Sequence, residues 1–258
     1  MNSLHERLSL LDISLFEKIP SQSTDDDKRS LLAIQSALRE LVPNYVYLEI
    51  GSHLGGSIQP HLLDEKCSLI YSIDKRPLVQ PDERGISYGY PENSTERMLG
   101  MLSEIASTEK IVTIDGDTSG LDATILQTTD RPDICFIDGE HTDKATKIDF
   151  EFCLDVVREN GVIIFHDAYV IYNAIADCIA MVKERNLKFQ AYCLPSVVFV
   201  IEIGDTPLHE NRNIRELLLQ NHKSYLFSLK ENDGYRRFTT TFPFNYIWKL
   251  GLKFGVKF

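Results

Sequence analysis

The sequence predicts an α/β protein built on a doubly wound, mostly parallel sheet of seven strands. Between about residues 42 and 204, short β-branched or aromatic runs alternate with longer segments whose apolar residues recur at helical spacing. Strands alternating with helices imply right-handed crossovers into a parallel sheet covered on both faces. Five of those runs give out at their C-terminal ends into Gly or Asp, and in open α/β sheets the ligand crevice lies outside the carboxyl ends of the strands. A chain of 258 residues, 43% hydrophobic and 25% charged, also suits one large domain with appendages.

Residues 4–17 have the spacing of a short amphipathic helix, and Pro20 followed by SQSTDDDK supplies a break and an acidic cap region. From Asp27 to Leu41, the residues Leu31, Leu32, Ile34, Leu38 and Leu41 recur at mostly helical intervals, and Pro43 ends that helix. The strand candidates are YVYLEIG (45–51), SLIYSID (68–74), KIVTIDG (110–116), DICFIDG (133–139) and GVIIFHD (161–167). Helical segments lie among them at 94–107, 142–157 and 170–185. Beyond residue 186, KFQAYCL and SVVFVIEIG read as two strands around a turn at Pro195, an antiparallel hairpin closing the sheet edge. The expected organisation is a helical segment over 1–41, the α/β domain over 42–204 and a C-terminal extension over 205–258 that lacks the alternation.

A net charge of -11 argues against nucleic acid as a partner, because a phosphate-backbone footprint needs clustered Lys and Arg. The five cysteines (Cys67, Cys135, Cys153, Cys178, Cys193) are scattered, odd in number and form no C-x-x-C pair, as expected of reduced, buried thiols in a cytoplasmic protein. The first 16 residues carry acids within their apolar run, unlike a signal peptide, and no run of about 18 apolar residues could span a bilayer. The tail from Lys223 sets Lys223, Lys230, Arg236, Arg237, Lys249, Lys253 and Lys257 against Glu231 and Asp233, with Phe242, Phe244, Tyr246, Trp248 and Phe254 among them. Its aromatics are expected to pack on the sheet edge or the N-terminal helices. The other readings are a membrane-surface contact, or a cover over the active site of a partner subunit in a homo-oligomer.

YLEIGSHLGGS follows the first strand and is expected to open a helix, the place of a nucleotide-binding loop. Its pattern is E-x-G-x-x-x-G-G, however, and the dinucleotide fingerprint would need glycines where Glu49 and Leu54 stand. An acid at the first position is a poor neighbour for a pyrophosphate, so a ligand without phosphates fits better.

On these residues the chain resembles class I S-adenosylmethionine-dependent methyltransferases from about Val42 to Gly204. The resemblance implies that Gly51 and Gly55, with Ser52 beside them, let the backbone approach S-adenosylmethionine, and that Glu49 helps hold its methionine amino end. Asp74, ending the second strand, corresponds to the acid that takes both ribose hydroxyls; a carboxylate offers two acceptors at the spacing of a cis-diol. Asp115, Gly116 and Asp117 would flank the adenine, and Asp138 would border the cofactor. A lone Asp-Gly is more often a turn, but acids at successive strand ends leave that reading little room.

Asp138 and Asp167 end neighbouring strands in this fold, about one strand spacing apart, roughly 5 Å. Two facing carboxylates repel unless something positive lies between them. The arrangement looks like the metal-dependent O-methyltransferase branch, which includes catechol and macrolide-sugar enzymes. By that resemblance Asp138, His166 and Asp167 would bind a divalent metal, Mg2+ or Mn2+, and His141 would be the base that takes a proton from the acceptor hydroxyl. The family's pair at the fifth strand is usually two oxygen ligands; with His166 in its first place, either His166 is a bystander or the site favours manganese or another imidazole-tolerant ion. Each feature also has a simpler reading: Thr142 or Asp143 capping the next helix with His141 a solvated loop residue, and His166-Asp167 a hydrogen-bonded strand end without an ion.

The sequence-level expectation is therefore an S-adenosylmethionine-dependent O-methyltransferase acting on a small-molecule or sugar hydroxyl. The rivals are a nicotinamide-dependent oxidoreductase on the same fold, disfavoured by Glu49 and the glycine spacing, and a catalytically silent cofactor-binding scaffold, disfavoured by His141 beside Asp138.

Overall fold

The computed structural model of the chain describes residues 3–91, 93–126, 130–220 and 242–254. Its strands are β1 (Tyr45–Ile50), β2 (Cys67–Asp74), β3 (Val79–Pro81), β4 (Ser87–Gly89), β5 (Ile111–Asp115), β6 (Ile134–Ile137), β7 (Val162–Phe165), β8 (Phe189–Cys193) and β9 (Phe199–Ile203). Seven of them form one sheet in the order β5-β2-β1-β6-β7-β9-β8. The first five in that order run parallel, while β9 pairs antiparallel with both β7 and β8, so the expected hairpin does close the edge. The order reverses between β1 and β6, and in open α/β sheets the ligand crevice lies outside the carboxyl ends of the strands at such a switch point.

Alternation along β1 sends Tyr45 and Tyr47 to one face and Val46, Leu48 and Ile50 to the other. The helices are α1 (Leu4–Ser9), α2 (Asp25–Leu41), α3 (Gln59–Leu63), α4 (Thr95–Ser103), α5 (Asp143–Val156), α6 (Tyr172–Glu184), α7 (Arg212–Gln220) and α8 (Phe244–Lys253). The first face packs against α1, α2, α4 and α7 through Leu8, Leu32, Leu102 and Ile214. The second packs against α5 and α6 through Phe150, Cys153, Ile175 and Cys178. Leu8, Leu15 and Phe16 share one core with Tyr45, Phe136 and Val200, so the 1–41 segment has no separate core. All five cysteines are buried and unpaired with one another.

α2 begins where the sequence places its acidic cap. The Thr24 hydroxyl accepts from the Asp27 N–H, and the Asp27 carboxylate accepts from the Thr24 N–H in return, a capping box. Three acids in the first turn favour the helix dipole. The expected helix over 4–17 is instead α1 and a 3-10 turn at Ile13–Phe16, divided at Leu11, whose φ is +52°. The glycine loop does not open a helix directly either: turns occupy residues 51–58 before the five-residue α3.

The hairpin β3–β4 was not expected from the sequence. The Asp82 carboxylate closes it by accepting from the N–H groups of Arg84 and Ile86, and the Arg84 guanidinium folds back onto Asp82. In the C-terminal segment, Phe242, Tyr246 and Phe254 are each 62% exposed or more, so these aromatics do not pack on the sheet edge or the N-terminal helices as expected. Lys223, Lys230, Glu231, Asp233, Arg236, Arg237 and Lys257 lie outside the described residues. Among the described residues no helix is long and apolar enough to cross a membrane.

Candidate active site and metal centre

β6 and β7 stop before Asp138, His141, His166 and Asp167, which therefore lie in the turns at their carboxyl ends. Ladder-like hydrogen bonds still fix them: the Asp138 N–H donates to the Ile50 carbonyl at 2.9 Å, and the His166 N–H to that of Ile137 at 3.0 Å. Thr142 caps α5, its hydroxyl accepting from the Ala145 N–H at 3.2 Å. The cap does not leave His141 solvated; its side chain is 18% exposed and faces back toward Asp138. Asp167 has a φ of +50°, a conformation that costs a residue with a Cβ and is retained where the surroundings over-determine it.

Asp138, His141, His166 and Asp167 come together, each offering a ligand atom within 4.8 Å of the others. His141 Nε2 is 3.2 Å from Asp138 Oδ1, and its Nδ1 is 3.1 Å from Asp167 Oδ2. His166 Nδ1 is 3.2 Å from Asp138 Oδ1 and 3.5 Å from Asp167 Oδ2. Burial alone would raise the carboxyls and lower the imidazoles. The attraction between them wins, holding Asp138 and Asp167 below the ordinary carboxylate range and His141 and His166 above the ordinary imidazole value.

His166 is buried, yet neither ring nitrogen makes a hydrogen bond of acceptable geometry. An unsatisfied buried imidazole is costly, and this one is aimed at two carboxylates. The carboxylate oxygens of Asp138 and Asp167 with the His166 imidazole fit a divalent cation that tolerates nitrogen, such as Mn2+, better than Mg2+ with its preference for oxygen.

A cleft of about 260 Å³ opens beside the cluster, lined by Gly51, Asp74, Gly116, Asp117, Gly139 and Glu140 among others. A smaller hollow of about 60 Å³ adjoins it and reaches Ser52, His53, Asp138 and His141. Gly51, Asp74 and Gln80 border both. Gly51 has a φ of +89°, and a Cβ there would lie 2.2 Å from the Asp138 carbonyl oxygen, so the turn that follows β1 requires glycine.

Asp74 Oδ2 accepts from the His53 N–H at 2.8 Å and Oδ1 from the Arg76 N–H at 2.6 Å. The Arg76 guanidinium also lies 3.5 Å from Oδ2, so of a carboxylate's roughly four acceptor positions this clamp leaves one, on Oδ1, for a hydroxyl from the cleft. At the far wall Thr118 donates to Asp149, whose carboxyl burial pushes up to about 7, and Lys75 pairs with Glu140 at 2.6 Å.

Three predicted cofactor residues lie elsewhere. Glu49, 1% exposed, lines neither space: it shares the Tyr47 face of β1, accepting from Tyr47 Oη at 2.9 Å and from Ser57 Oγ. Burial pushes its carboxyl up to about 8 against those two hydrogen bonds. Gly55 also lines neither space; its φ is +84°, and a Cβ there would meet Leu102 of α4 at 2.9 Å, so it serves helix packing. Asp115 accepts from Thr95 Oγ1 at the start of α4 and does not reach the cleft.

Other neighbours of the site were missed by sequence reasoning. Gln80 and Tyr90 come from the β3–β4 region, Pro20–Ser23 from the segment before α2, and Asp27 from α2 itself. Arg76 reaches the His53 carbonyl at 2.5 Å and Ser52 Oγ at 3.4 Å, tying the glycine loop to the end of β2. A turn signal was present in PDERG (81–85); the remainder arrive by contacts that spacing does not encode.

Residues 48–168 match the model of a methyltransferase domain family. No curated protein matches the sequence. Among solved structures, the chain is similar to the S-adenosylhomocysteine-bound methyltransferase PaMTH1 of Podospora anserina, with 13% identity and a TM-score of 0.50, covering 80% of this chain and 89% of that one. It is similar to the calicheamicin methyltransferase CalS11 with 14% identity and a TM-score of 0.50, over 80% of this chain and 95% of that one. A Staphylococcus aureus chain described as a caffeoyl-CoA O-methyltransferase shares 15% identity at a TM-score of 0.50, over 79% of this chain and 93% of that one. At such identities the likeness is one of fold.

Proposed function

We propose that this chain, whose residues 48–168 match a methyltransferase domain family, is an S-adenosylmethionine-dependent methyltransferase that methylates a hydroxyl of a small molecule or sugar, with a divalent cation and a histidine base. The observation that carries this reading is the convergence of Asp138, His141, His166 and Asp167, of which Asp138 and His141 line the hollow that adjoins the cleft.

The cleft residues suit a cationic nucleoside. Asp74, held by two backbone N–H groups and the Arg76 guanidinium, would offer its remaining Oδ1 position to a ribose hydroxyl, and Gly116 and Asp117 border the space for the base. The sulfonium end then faces the smaller hollow, where Asp138 and His141 lie. Asp138, His166 and Asp167 would hold the cation, which supplies positive charge that acidifies an acceptor hydroxyl. His141 takes the hydroxyl proton on a ring nitrogen as the oxygen attacks the methyl carbon; the C–O bond forms as the C–S bond breaks, and S-adenosylhomocysteine leaves. In the present arrangement both ring nitrogens of His141 face carboxylates. Its work as a base therefore depends on those carboxylates being neutralised by another positive charge.

Thermal-shift ranking of S-adenosylhomocysteine against NAD, followed by methyl transfer to a panel of hydroxylated acceptors with Mn2+, Mg2+ or EDTA, tests the proposal. Stabilisation by S-adenosylhomocysteine and EDTA-sensitive turnover are expected. Stabilisation by NAD alone would favour the oxidoreductase, and turnover indifferent to EDTA would remove the cation.

A further inference from the structure

Asp27 stands at the start of α2, 1% exposed, in the N-terminal segment whose place at the site the sequence did not reveal. Its Oδ2 accepts from the Thr24 N–H at 2.9 Å and from Thr24 Oγ1 at 2.7 Å, and its Oδ1 accepts from the Val197 N–H at 3.2 Å. All of these donors are neutral. The group opposite is His166, whose Nε2 lies 3.6 Å from Asp27 Oδ2. That distance exceeds a hydrogen bond, so Asp27 here supplies charge and direction. On the other side of the same ring, Nδ1 faces Asp138 and Asp167.

We infer that Asp27 is the positioning residue of the metal centre: it favours the His166 tautomer with the proton on Nε2, so that the Nδ1 lone pair is directed between Asp138 and Asp167. The inference rests on the metal reading proposed above and deepens it. Metal-ligating histidines usually give their second ring N–H to a carboxylate or carbonyl, which fixes tautomer and ring orientation. Asp27 is the carboxylate that faces Nε2, and His166 is a buried ring whose two nitrogens make no hydrogen bond.

Val197 couples the two sides. Its N–H donates to Asp27, and its carbonyl accepts from the Ala168 N–H at 3.0 Å, next to Asp167. The turn between β8 and β9 thus holds the positioning acid and the ligand loop in one frame. On this reading the segment before the α/β domain is part of the catalytic centre.

The test is calorimetric titration of Mn2+ into the EDTA-stripped full chain and two variants. Asp27→Asn shortens no side chain but removes the anion, and should bind Mn2+ about 10–100-fold more weakly. Because Asp27 also closes the cap of α2, Thr24→Ala is the control: it weakens the cap while keeping the carboxylate, and should lower the unfolding midpoint yet bind Mn2+ as the wild type does. The visible spectrum of bound Co2+ should differ between Asp27→Asn and wild type and overlay between Thr24→Ala and wild type. Equal Mn2+ affinity in Asp27→Asn and wild type overturns the role of Asp27 while leaving the metal reading intact. An equal loss of affinity in both variants assigns the effect to the helix cap and overturns it too. Absence of Mn2+ binding by the wild type overturns the metal reading, and the inference with it.

Discussion

Replacing Glu49 by Gln should flatten the fall of stability with rising pH. In the folded chain burial holds the Glu49 proton up to about pH 8, whereas an ordinary glutamate loses it near 4.5. Between those values the folded state binds more protons than the unfolded one, so stability declines as pH rises, by ~1.4 kcal/mol per pH unit for a single group. Below the lower value both states hold the proton, and above the upper one neither does, so the effect is confined to that window. Gln is a close analogue of the protonated acid: its amide N–H can donate to Ser57 Oγ and its carbonyl can accept from Tyr47 Oη. Denaturant unfolding of both proteins at about pH 5.5 and about pH 7.5 should therefore show the wild type losing roughly 2.7 kcal/mol more than the variant over that interval. Asp149, also raised by burial to about 7, contributes equally to both and cancels in the difference. Parallel pH curves for the two proteins would refute the argument that Glu49 is folded as a neutral acid. Since Glu49 lines neither the cleft nor the hollow, the same substitution should leave S-adenosylhomocysteine affinity unchanged.

Further outcomes follow from the geometry of the cleft. Asp74→Asn should weaken S-adenosylhomocysteine about tenfold or more, ~1.5 kcal/mol, as read by calorimetry, because one acceptor toward the ribose becomes a donor. Gly51→Ala should cost more than about 2 kcal/mol in urea unfolding, since its Cβ would meet backbone that cannot swing aside; an unchanged midpoint would mean that the turn relaxes freely. His141→Ala should lower kcat by about a hundredfold to ten-thousandfold with cofactor affinity retained, whereas a purely structural His141 would lower the unfolding midpoint and spare kcat.

The alternation of strand and helix, the antiparallel edge and the acids and glycines at the strand ends were all legible in the sequence. Each is written among chain neighbours: side-chain period, turn residues and the point where an apolar run gives out. Asp74, Asp138, His141, His166 and Asp167 could be named on that basis, because strands of one parallel sheet deliver their carboxyl ends to one edge whatever the rest of the chain does. The sequence did not say which side of that edge each residue would face. Glu49 and Asp74 both lie near the carboxyl ends of their strands, yet Asp74 borders the cleft while Glu49 turns under the sheet beside Tyr47 and Ser57, and Gly55 meets a helix instead of a ligand. The meeting of Asp27 with His166, and the placing of Gln80 and Tyr90 over the site by the β3–β4 hairpin, belong to the tertiary structure alone. Contacts of that kind are set by how helices and loops settle on a finished sheet, and spacing along the chain carries no record of distances across it.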